Sequence, residues 1–315
     1  MSAAGPLVEG ILRGEVPAIA RGITLVENDD PRATELLKAL FHHSGGSLVV
    51  GVTGPPGAGK STLVDRLTGV LRQQGKSVGI VAVDPTSPYT GGAILGDRIR
   101  MQTHALDPGV FIRSMATRGH LGGLAAATGH VLTILAAAGK DVILVETVGV
   151  GQDEVAIVGT ADVSVVVLVP GLGDEVQALK AGIMEIADVF VVNKADREGA
   201  ERLVVEIEAM LALSPAEAAR PAIVRTVASS GLGVPELLRE VQAFRDRADA
   251  SGVLATKRRE QLRQQFEEAL AGQLMGRVRQ RALSRAERES VVDRLLARET
   301  DPLSATEEVL RRLGL

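Results

Sequence analysis

The sequence of 315 residues has no cysteine and no tryptophan, and aromatic residues make up only 2% of it. Without cysteine the chain can form neither a disulfide framework nor a thiolate metal site. Hydrophobic residues still make up 45%, which is enough for a large core. We expect that core to consist of valine, leucine, isoleucine and alanine, and the lack of disulfides fits a reducing, cytoplasmic location.

A strong net charge and a long hydrophobic run are also missing. The net charge is −4, whereas a nucleic-acid-binding protein is expected to carry a basic face. The longest apolar run, residues 163–169, is far shorter than the roughly 20 residues that span a bilayer. Residues 1–14 contain no basic stretch followed by an apolar run, so we expect no signal peptide. These features predict that neither nucleic acid nor a membrane is a partner.

Short apolar runs rich in β-branched residues predict strands in the middle of the chain. Such continuous runs are typical of strands that are covered on both faces, and helical stretches separate most of them. The pattern therefore predicts an α/β fold with a mainly parallel central sheet flanked by helices. The predicted strands are residues 48–50, 78–83, 142–145, 163–169, 189–192 and 223–227.

Helical periodicity predicts a helical segment on each side of this region. We expect an amino-terminal helical segment at residues 1–46, an α/β domain at 47–233 and a carboxyl-terminal helical arm at 234–315. The arm has an apolar stripe between residues 255 and 281 that requires a partner, either the main domain or a second subunit. Its last helix is predicted to begin at Asp301 and Pro302, with Ser304 and Glu307 at the spacing of a capping box.

The segment from Gly54 to Ser61 reads GPPGAGKS and matches the phosphate-loop pattern G-x-x-x-x-G-K-[ST] at each fixed position. A predicted strand precedes it and a predicted helix follows it, so helix dipole and free N–H groups act on one anion. Glycines let the backbone turn its N–H groups toward phosphate oxygens, Lys60 adds positive charge and Ser61 offers a hydroxyl to Mg²⁺. The predicted nucleotide-binding residues here are Gly54, Pro55, Pro56, Gly57, Ala58, Gly59, Lys60, Ser61 and Thr62.

The choice of base is predicted by the sequence N-K-A-D at residues 193–196, directly after a predicted strand. The Asp196 carboxylate can accept hydrogen bonds from guanine N1–H and N2–H₂, and adenine offers no matching pair of donors. Asn193 can bond the base and brace the loop, and the stem of Lys194 can cover the face of the base. The predicted base-binding residues are Asn193, Lys194 and Asp196, with Ala228, Ser229 and Ser230 presenting backbone N–H groups to guanine O6.

Carboxylates at predicted strand ends indicate a magnesium site. Glu146 follows the strand at 142–145, and a carboxylate there can hold Mg²⁺ directly or through water. Most small GTPases have aspartate at that position. Asp84 and Asp97 are near enough in sequence to reach the same ion, although their spacing equally allows a structural role. Gly149 gives a bare N–H that can sense the γ-phosphate, and the predicted metal ligands are Ser61, Asp84, Asp97 and Glu146.

Four motifs in this order around the phosphate loop resemble the MeaB/ArgK family of P-loop GTPases. They are V-D-P-T-S-P at 83–88, E-T-V-G-V-G-Q at 146–152, P-G-L-G-D-E-V-Q-A-L-K at 170–180 and N-K-A-D at 193–196. The likeness extends over roughly residues 7–315, and the mitochondrial counterpart of the family is the methylmalonic aciduria type A protein. The glutamate form of the second motif and the G-D-E-x-Q-x-x-K stretch are shared by few other GTPases.

This resemblance implies a G-protein chaperone of an adenosylcobalamin-dependent acyl-CoA mutase, with methylmalonyl-CoA mutase as the expected client. Such a protein gates cofactor loading and protects or reactivates the mutase. It converts GTP and water to GDP and phosphate slowly alone and faster with the partner. The resemblance also implies a homodimer joined through the carboxyl-terminal arm, with Mg²⁺ as cofactor and GTP or GDP as ligand.

The resemblance also implies functions for residues that stand at the matching motif positions. Asp84, Asp97 and Glu146 are expected to organise the metal and the first two switches, and Asp174 and Lys180 to form a third switch that relays partner contact. Val150 stands where many small GTPases have the glutamine that orients water, which fits slow basal turnover. The implied catalytic residues are Lys60, Asp97, Glu146 and Lys180, and the implied switch residues are Asp84, Gln152, Asp174 and Lys180.

Three other functions stay open at this point. A nickel-insertion GTPase is one, although the chain has no cysteine and its five histidines show no ligand spacing. A kinase or ATPase that serves amino-acid transport is the second, and the guanine-reading pattern argues against it. The third is a nucleotide-dependent scaffold with negligible turnover.

Overall fold

The computed structural model describes residues 5–84, 102–116, 123–147, 159–171, 186–212, 220–281 and 283–314. It divides into two compact units, Met1–Gln261 and Leu262–Leu315. The strands within the described ranges are β1 (Leu48–Thr53), β2 (Val78–Asp84), β3 (Val110–Ala116), β4 (Val142–Thr147), β5 (Val163–Leu168), β6 (Val189–Asn193) and β7 (Ala222–Thr226). The α-helices there are α1 (Gly5–Leu12), α2 (Val16–Glu27), α3 (Pro31–Phe41), α4 (Lys60–Gln73), α5 (Gly123–Ala137), α6 (Ala200–Leu211), α7 (Val234–Ala250), α8 (Val253–Arg281), α9 (Arg285–Leu296) and α10 (Pro302–Leu313).

All seven strands form one sheet in the order β3-β2-β4-β1-β5-β6-β7. Each neighbouring pair is parallel, so the predicted α/β fold with a parallel sheet is confirmed. The strand order changes direction at β1, whose neighbours β4 and β5 both come later in the chain. Ligands of such sheets bind outside the carboxyl ends of the strands at this kind of switch point.

Strand β3 is absent from the sequence prediction. It forms one edge of the sheet and pairs with β2 alone. Its apolar run is interrupted by Arg113, whose guanidinium donates hydrogen bonds to the carboxylate of Glu27 in α2. A partly exposed edge strand tolerates such a residue, and the continuous apolar pattern that marks the central strands is lost.

Helices cover both faces of the sheet. On one face, Leu63 and Leu67 of α4 and Leu237 of α7 are buried in one cluster with Val50 of β1. On the other face, α1, α2, α3 and α5 cover the half of the sheet that contains β2, β3 and β4. Helix α6 covers the half that contains β5 and β6, where Phe190 is fully buried. The core is thus built mainly from aliphatic side chains, as the composition predicts.

The start of α8 is held at the amino ends of β5 and β6. Arg258 Nε and Nη2 donate hydrogen bonds to Asp162 Oδ1 and Oδ2 at 2.8 and 3.0 Å, and Asp162 is only 4% exposed. Lys257 Nζ donates to Asp188 Oδ2 at 3.0 Å. The bond to Asp162 raises the pKa of the Arg258 guanidinium. Asp162 Oδ2 also accepts the N–H of Val49 at 2.9 Å, so one carboxylate fixes both the sheet and the helix.

The second unit, Leu262–Leu315, is helical. A capping box forms at the start of α9 between Ser284 and Glu287. Helix α10 is capped by Asp301, which accepts the N–H groups of Leu303 and Ser304. The predicted capping box at Ser304 is therefore wrong, because Ser304 lies inside the helix as a partner of the cap.

Apolar side chains on α8 in the second unit are exposed, in agreement with the predicted stripe. They include Leu262, Phe266, Leu270 and Leu274. The domain boundaries expected at residues 46 and 233 stay predictions. No helix in the described ranges is both long enough and apolar enough to cross a membrane.

The pair between Arg258 and Asp162 gives a stability prediction. Arg258→Ala leaves a buried carboxylate without its cation, and we expect the free energy of unfolding to fall by about 2–3 kcal/mol. Urea unfolding followed by circular dichroism measures the change. Arg259→Ala is the matched control because Arg259 is exposed on the same turn and bonds to none of the described residues. Equal stability of the two variants would contradict the assigned role of Arg258.

Candidate functional site

The phosphate-loop segment connects β1 to α4 at the carboxyl edge of the sheet. Gly54, Gly57 and Gly59 adopt φ values of 141°, 78° and 88°, which side-chain-bearing residues rarely adopt. A Cβ on Gly54 would lie 2.0 Å from the carbonyl oxygen of Val167 in β5. A Cβ on Gly59 would lie 2.5 Å from Nδ2 of Asn193. The glycines therefore allow both the positive φ values of the loop and its close contact with neighbouring strands.

Lys60 and Ser61 are buried in the first turn of α4. Lys60 Nζ donates hydrogen bonds to the carbonyl oxygens of Gly54 and Pro55 at 2.6 and 3.0 Å, so its ammonium lies against the loop. Ser61 Oγ donates to Oε1 of Glu146 at 2.5 Å. Glu146 is in β4, next to β1 in the sheet, and is 5% exposed. A hydroxyl and a carboxylate thus meet where the helix begins.

Asn193 at the end of β6 joins three parts of the site and is only 2% exposed. Its Nδ2 donates a hydrogen bond to the carbonyl oxygen of Ala58 in the phosphate loop at 2.7 Å. Its Oδ1 accepts from Thr226 Oγ1 and from the N–H of Ala228, both at 3.0 Å. One buried amide therefore bonds the segments that follow β1 and β7, and the expectation that Asn193 braces a loop agrees with this geometry.

Lys194 and Asp196 follow on the exposed side of the same segment. Lys194 has φ 56°, an uncommon value for a residue other than glycine, and its Nζ donates to the carbonyl oxygen of Gly57 at 2.8 Å. Asp196 is exposed, and no hydrogen-bond donor among the described residues reaches its carboxylate. Strained backbone beside an available carboxylate is typical of a binding segment.

The loop at 228–230 follows β7. Ala228 is 3% exposed, and Ser229 and Ser230 are exposed. The N–H of Ser230 donates to the carbonyl oxygen of Val227 at 3.0 Å, which closes a turn. This arrangement brings the loop to the same edge as the phosphate loop, since Asn193 contacts both.

Asp97, Gly149, Gln152, Asp174 and Lys180 lie outside the described residues. The backbone of Asp84 ends β2, beside the end of β4 that contains Glu146.

Two side chains at the site were not predicted from the sequence. Thr226 is fully buried and supports Asn193. Arg66 of α4 donates hydrogen bonds to the carbonyl oxygens of Ala228 and Ser229. Neither residue stands in a motif, and only proximity in the fold identifies them.

The parallel sheet with a glycine loop between β1 and α4 defines the class of P-loop nucleoside triphosphatases. The solved structure described as an LAO/AO transport system kinase supports this fold. It matches with a TM-score of 0.72 at 24% identity and covers 100% of this chain and 99% of that one.

Sequence comparison gives the family. The profile described as methylmalonyl Co-A mutase-associated GTPase MeaB matches residues 19–283. A Pyrococcus abyssi protein named only as a GTPase is 49% identical over 311 residues, which are 98% of this chain and 96% of the relative. GTPase ArgK of Escherichia coli is 37% identical over 284 residues, 85% of this chain and 86% of the relative. The chain belongs to the MeaB family, and the resemblance read from its motifs is confirmed.

The buried amide of Asn193 gives a graded prediction. Asn193→Ala leaves a carbonyl, an N–H group and a hydroxyl without partners, so we expect a loss of about 2–4 kcal/mol in unfolding free energy. Thr226→Val removes one of these three bonds with little change in shape, and we expect a loss of about 1 kcal/mol. Chemical unfolding of both variants tests the order. A loss from Thr226→Val as large as that from Asn193→Ala would contradict the central role of the amide.

Proposed function

We propose that this protein is a guanine-nucleotide-binding enzyme that hydrolyses GTP to GDP and phosphate. The observation that carries the proposal is the hydrogen bonding of Asn193 to both the phosphate loop and the loop at 228–230. That arrangement holds a phosphate-binding segment and a base-reading segment at one edge of the sheet. Relatives across nearly the whole chain are named as GTPases, which supports the same activity.

The base would be read from two sides. Asp196 offers an exposed carboxylate that can accept from guanine N1–H and N2–H₂. The loop at 228–230 would offer the backbone N–H of Ser229 to the 6-oxo group, since the N–H groups of Ala228 and Ser230 already have acceptors within the protein. Adenine has an amino group at position 6 and no N1–H donor, so it would leave both sets of groups without partners, and that loss gives strong discrimination.

The phosphates and a metal ion would occupy the start of α4. Ser61 Oγ and Glu146 Oε1 supply hard oxygen ligands 2.5 Å apart, and this donor set fits Mg²⁺. Asp84 and Asp97 are proposed to complete the metal site. The ion, when bound, offsets negative charge on the phosphate oxygens. Lys60, now bonded to carbonyls of the loop, would donate to those oxygens instead.

The proposed client is an adenosylcobalamin-dependent acyl-CoA mutase, with methylmalonyl-CoA mutase as the first candidate. The description of the matching family as mutase-associated supports this choice. Slow turnover alone and faster turnover with the mutase are expected if the partner completes the catalytic site and shifts an existing equilibrium. Asp174 and Lys180 are the proposed relay, and Gln152 a proposed switch residue.

A homodimer formed through the helical arm is part of this proposal. The exposed apolar side chains of α8 beyond residue 261 support a protein partner for that surface. Nickel insertion is the weaker alternative, since the chain has no cysteine and its five histidines show no ligand spacing. A preference for GTP over ATP in binding and turnover would distinguish the proposed enzyme from an ATP-dependent transport kinase.

Asp196→Asn tests the base-reading role. An asparagine amide can donate to the 2-oxo group of xanthine but cannot accept both donors of guanine. We expect GTP affinity to fall by roughly 100-fold and xanthosine triphosphate to become the better ligand. Isothermal titration with both nucleotides measures the switch. Glu198→Gln changes an exposed acid two residues further on and should leave both affinities at the wild-type value. A GTP preference that is retained in Asp196→Asn would refute the assignment.

The client is tested by GTP turnover with and without the adenosylcobalamin-dependent mutase from the same source. We expect the mutase to stimulate the turnover of GTP but not that of ATP. The stimulation should be lost in Lys60→Ala, because the lysine supplies positive charge to the phosphates. The measurement is phosphate release at several mutase concentrations.

The same turnover assay tests the proposed third switch, Asp174 and Lys180. Asp174→Ala combined with Lys180→Ala should remove the stimulation by the mutase. Stimulation that survives this double variant would exclude the relay. Turnover that does not respond to the mutase would exclude that client.

A further inference from the structure

Arg66 contacts the loop that is proposed to meet the guanine 6-oxo group. Its Nη2 donates to the carbonyl oxygen of Ser229 at 2.9 Å, and its Nε donates to that of Ala228 at 3.3 Å. The planar fork of an arginine can hold two successive carbonyls in one orientation, which a lysine ammonium cannot do as rigidly. Arg66 is exposed on α4. Its hydrogen bonds to the loop, rather than packing in the core, therefore fix the position of its side chain.

The orientation of these carbonyls fixes the N–H groups of the loop. The peptide between Ala228 and Ser229 is trans, so its C=O and N–H point in opposite directions. Since Arg66 holds the carbonyl oxygen, the N–H of Ser229 faces away from α4. The next N–H, that of Ser230, is already used in the turn to Val227.

The N–H of Ser229 is therefore the donor of this loop that is available to a ligand. Across the ranges that the structure describes, no acceptor takes this N–H, although the neighbouring N–H groups of Ala228 and Ser230 both have acceptors. The preceding peptide group is also held, because the N–H of Ala228 donates a hydrogen bond to the side chain of the buried Asn193. Arg66 on one side and Asn193 on the other leave this peptide little freedom to rotate.

We propose that Arg66 is a positioning residue for base selectivity, which acts by aiming the N–H of Ser229 at the 6-oxo group of the purine. This inference rests on the proposed function. Arg66 lies in the helix whose first residues are Lys60 and Ser61. One rigid helix therefore holds the phosphate-binding turn at its start and the 6-oxo donor through Arg66, and it sets the distance between the two ends of the nucleotide site.

The test compares three nucleotides in wild type and Arg66→Ala. GDP has the 6-oxo group, 6-thio-GDP replaces its oxygen by a weaker sulfur acceptor, and IDP keeps the oxygen but lacks the 2-amino group. We expect Arg66→Ala to lose roughly tenfold in GDP affinity and only about twofold for 6-thio-GDP. The preference for GDP over 6-thio-GDP therefore narrows by roughly fivefold, while the preference for GDP over IDP stays at the wild-type value because Asp196 is untouched.

Two further variants separate positioning from stability. Arg239→Ala is the matched control, since Arg239 is exposed on α7 and bonds to none of the described residues; it should change no affinity. Arg66→Lys keeps the charge and should restore only part of the selectivity. Melting temperatures of all three variants should agree within the error of the method.

The outcomes are distinguishable. Equal losses for GDP, IDP and 6-thio-GDP in Arg66→Ala would overturn the inference and leave the proposed function in place. A wild-type protein that binds ADP as well as GDP would contradict the proposed function and the inference with it. A narrowed GDP to 6-thio-GDP preference at unchanged melting temperature supports the positioning role.

Discussion

The side-chain amide of Asn193 is the contact on which the site depends. A parallel sheet brings the loops after β1, β6 and β7 to one edge, but it does not by itself fix their separation. The buried amide does so, with one donor bond to the phosphate loop and two acceptor bonds to Thr226 and Ala228. The close approach also explains Gly59, because any side chain there would collide with Nδ2 of Asn193. The glycine loop and the segment that begins at Asn193 therefore constrain each other.

The two edges of the sheet use charge in different ways. At the amino edge, Asp162 and Asp188 are paired with Arg258 and Lys257 and also accept backbone N–H groups. Such satisfied charges fix the start of a helix. At the carboxyl edge, the carboxylate of Asp196 is exposed and no described residue donates to it. A charge without a partner among the described residues is available to a ligand, and this difference agrees with the proposal that nucleotide binds at the carboxyl edge.

Sequence patterns predicted six of the seven strands and missed β3, one of the two edge strands. Strands that are buried on both faces need continuous apolar runs, and this pattern located the five central strands. Strand β3 was missed because an edge position tolerates Arg113, whose charge is met by Glu27 from α2. The start of α10 at Asp301 and Pro302 was predicted correctly, but the capping box at Ser304 was not, because the side chain of Asp301 caps the helix and Ser304 lies in its first turn.

The sequence by itself determined six of the seven strands, the phosphate loop and the family, because these depend on residues that are close together in the chain. Only the tertiary structure decided that Asn193 spans two loops, that Arg66 holds the carbonyls of Ala228 and Ser229, and that Arg258 meets Asp162. These bonds join residues that are distant in sequence. Their geometry follows from strand order and helix packing, which no local periodicity records.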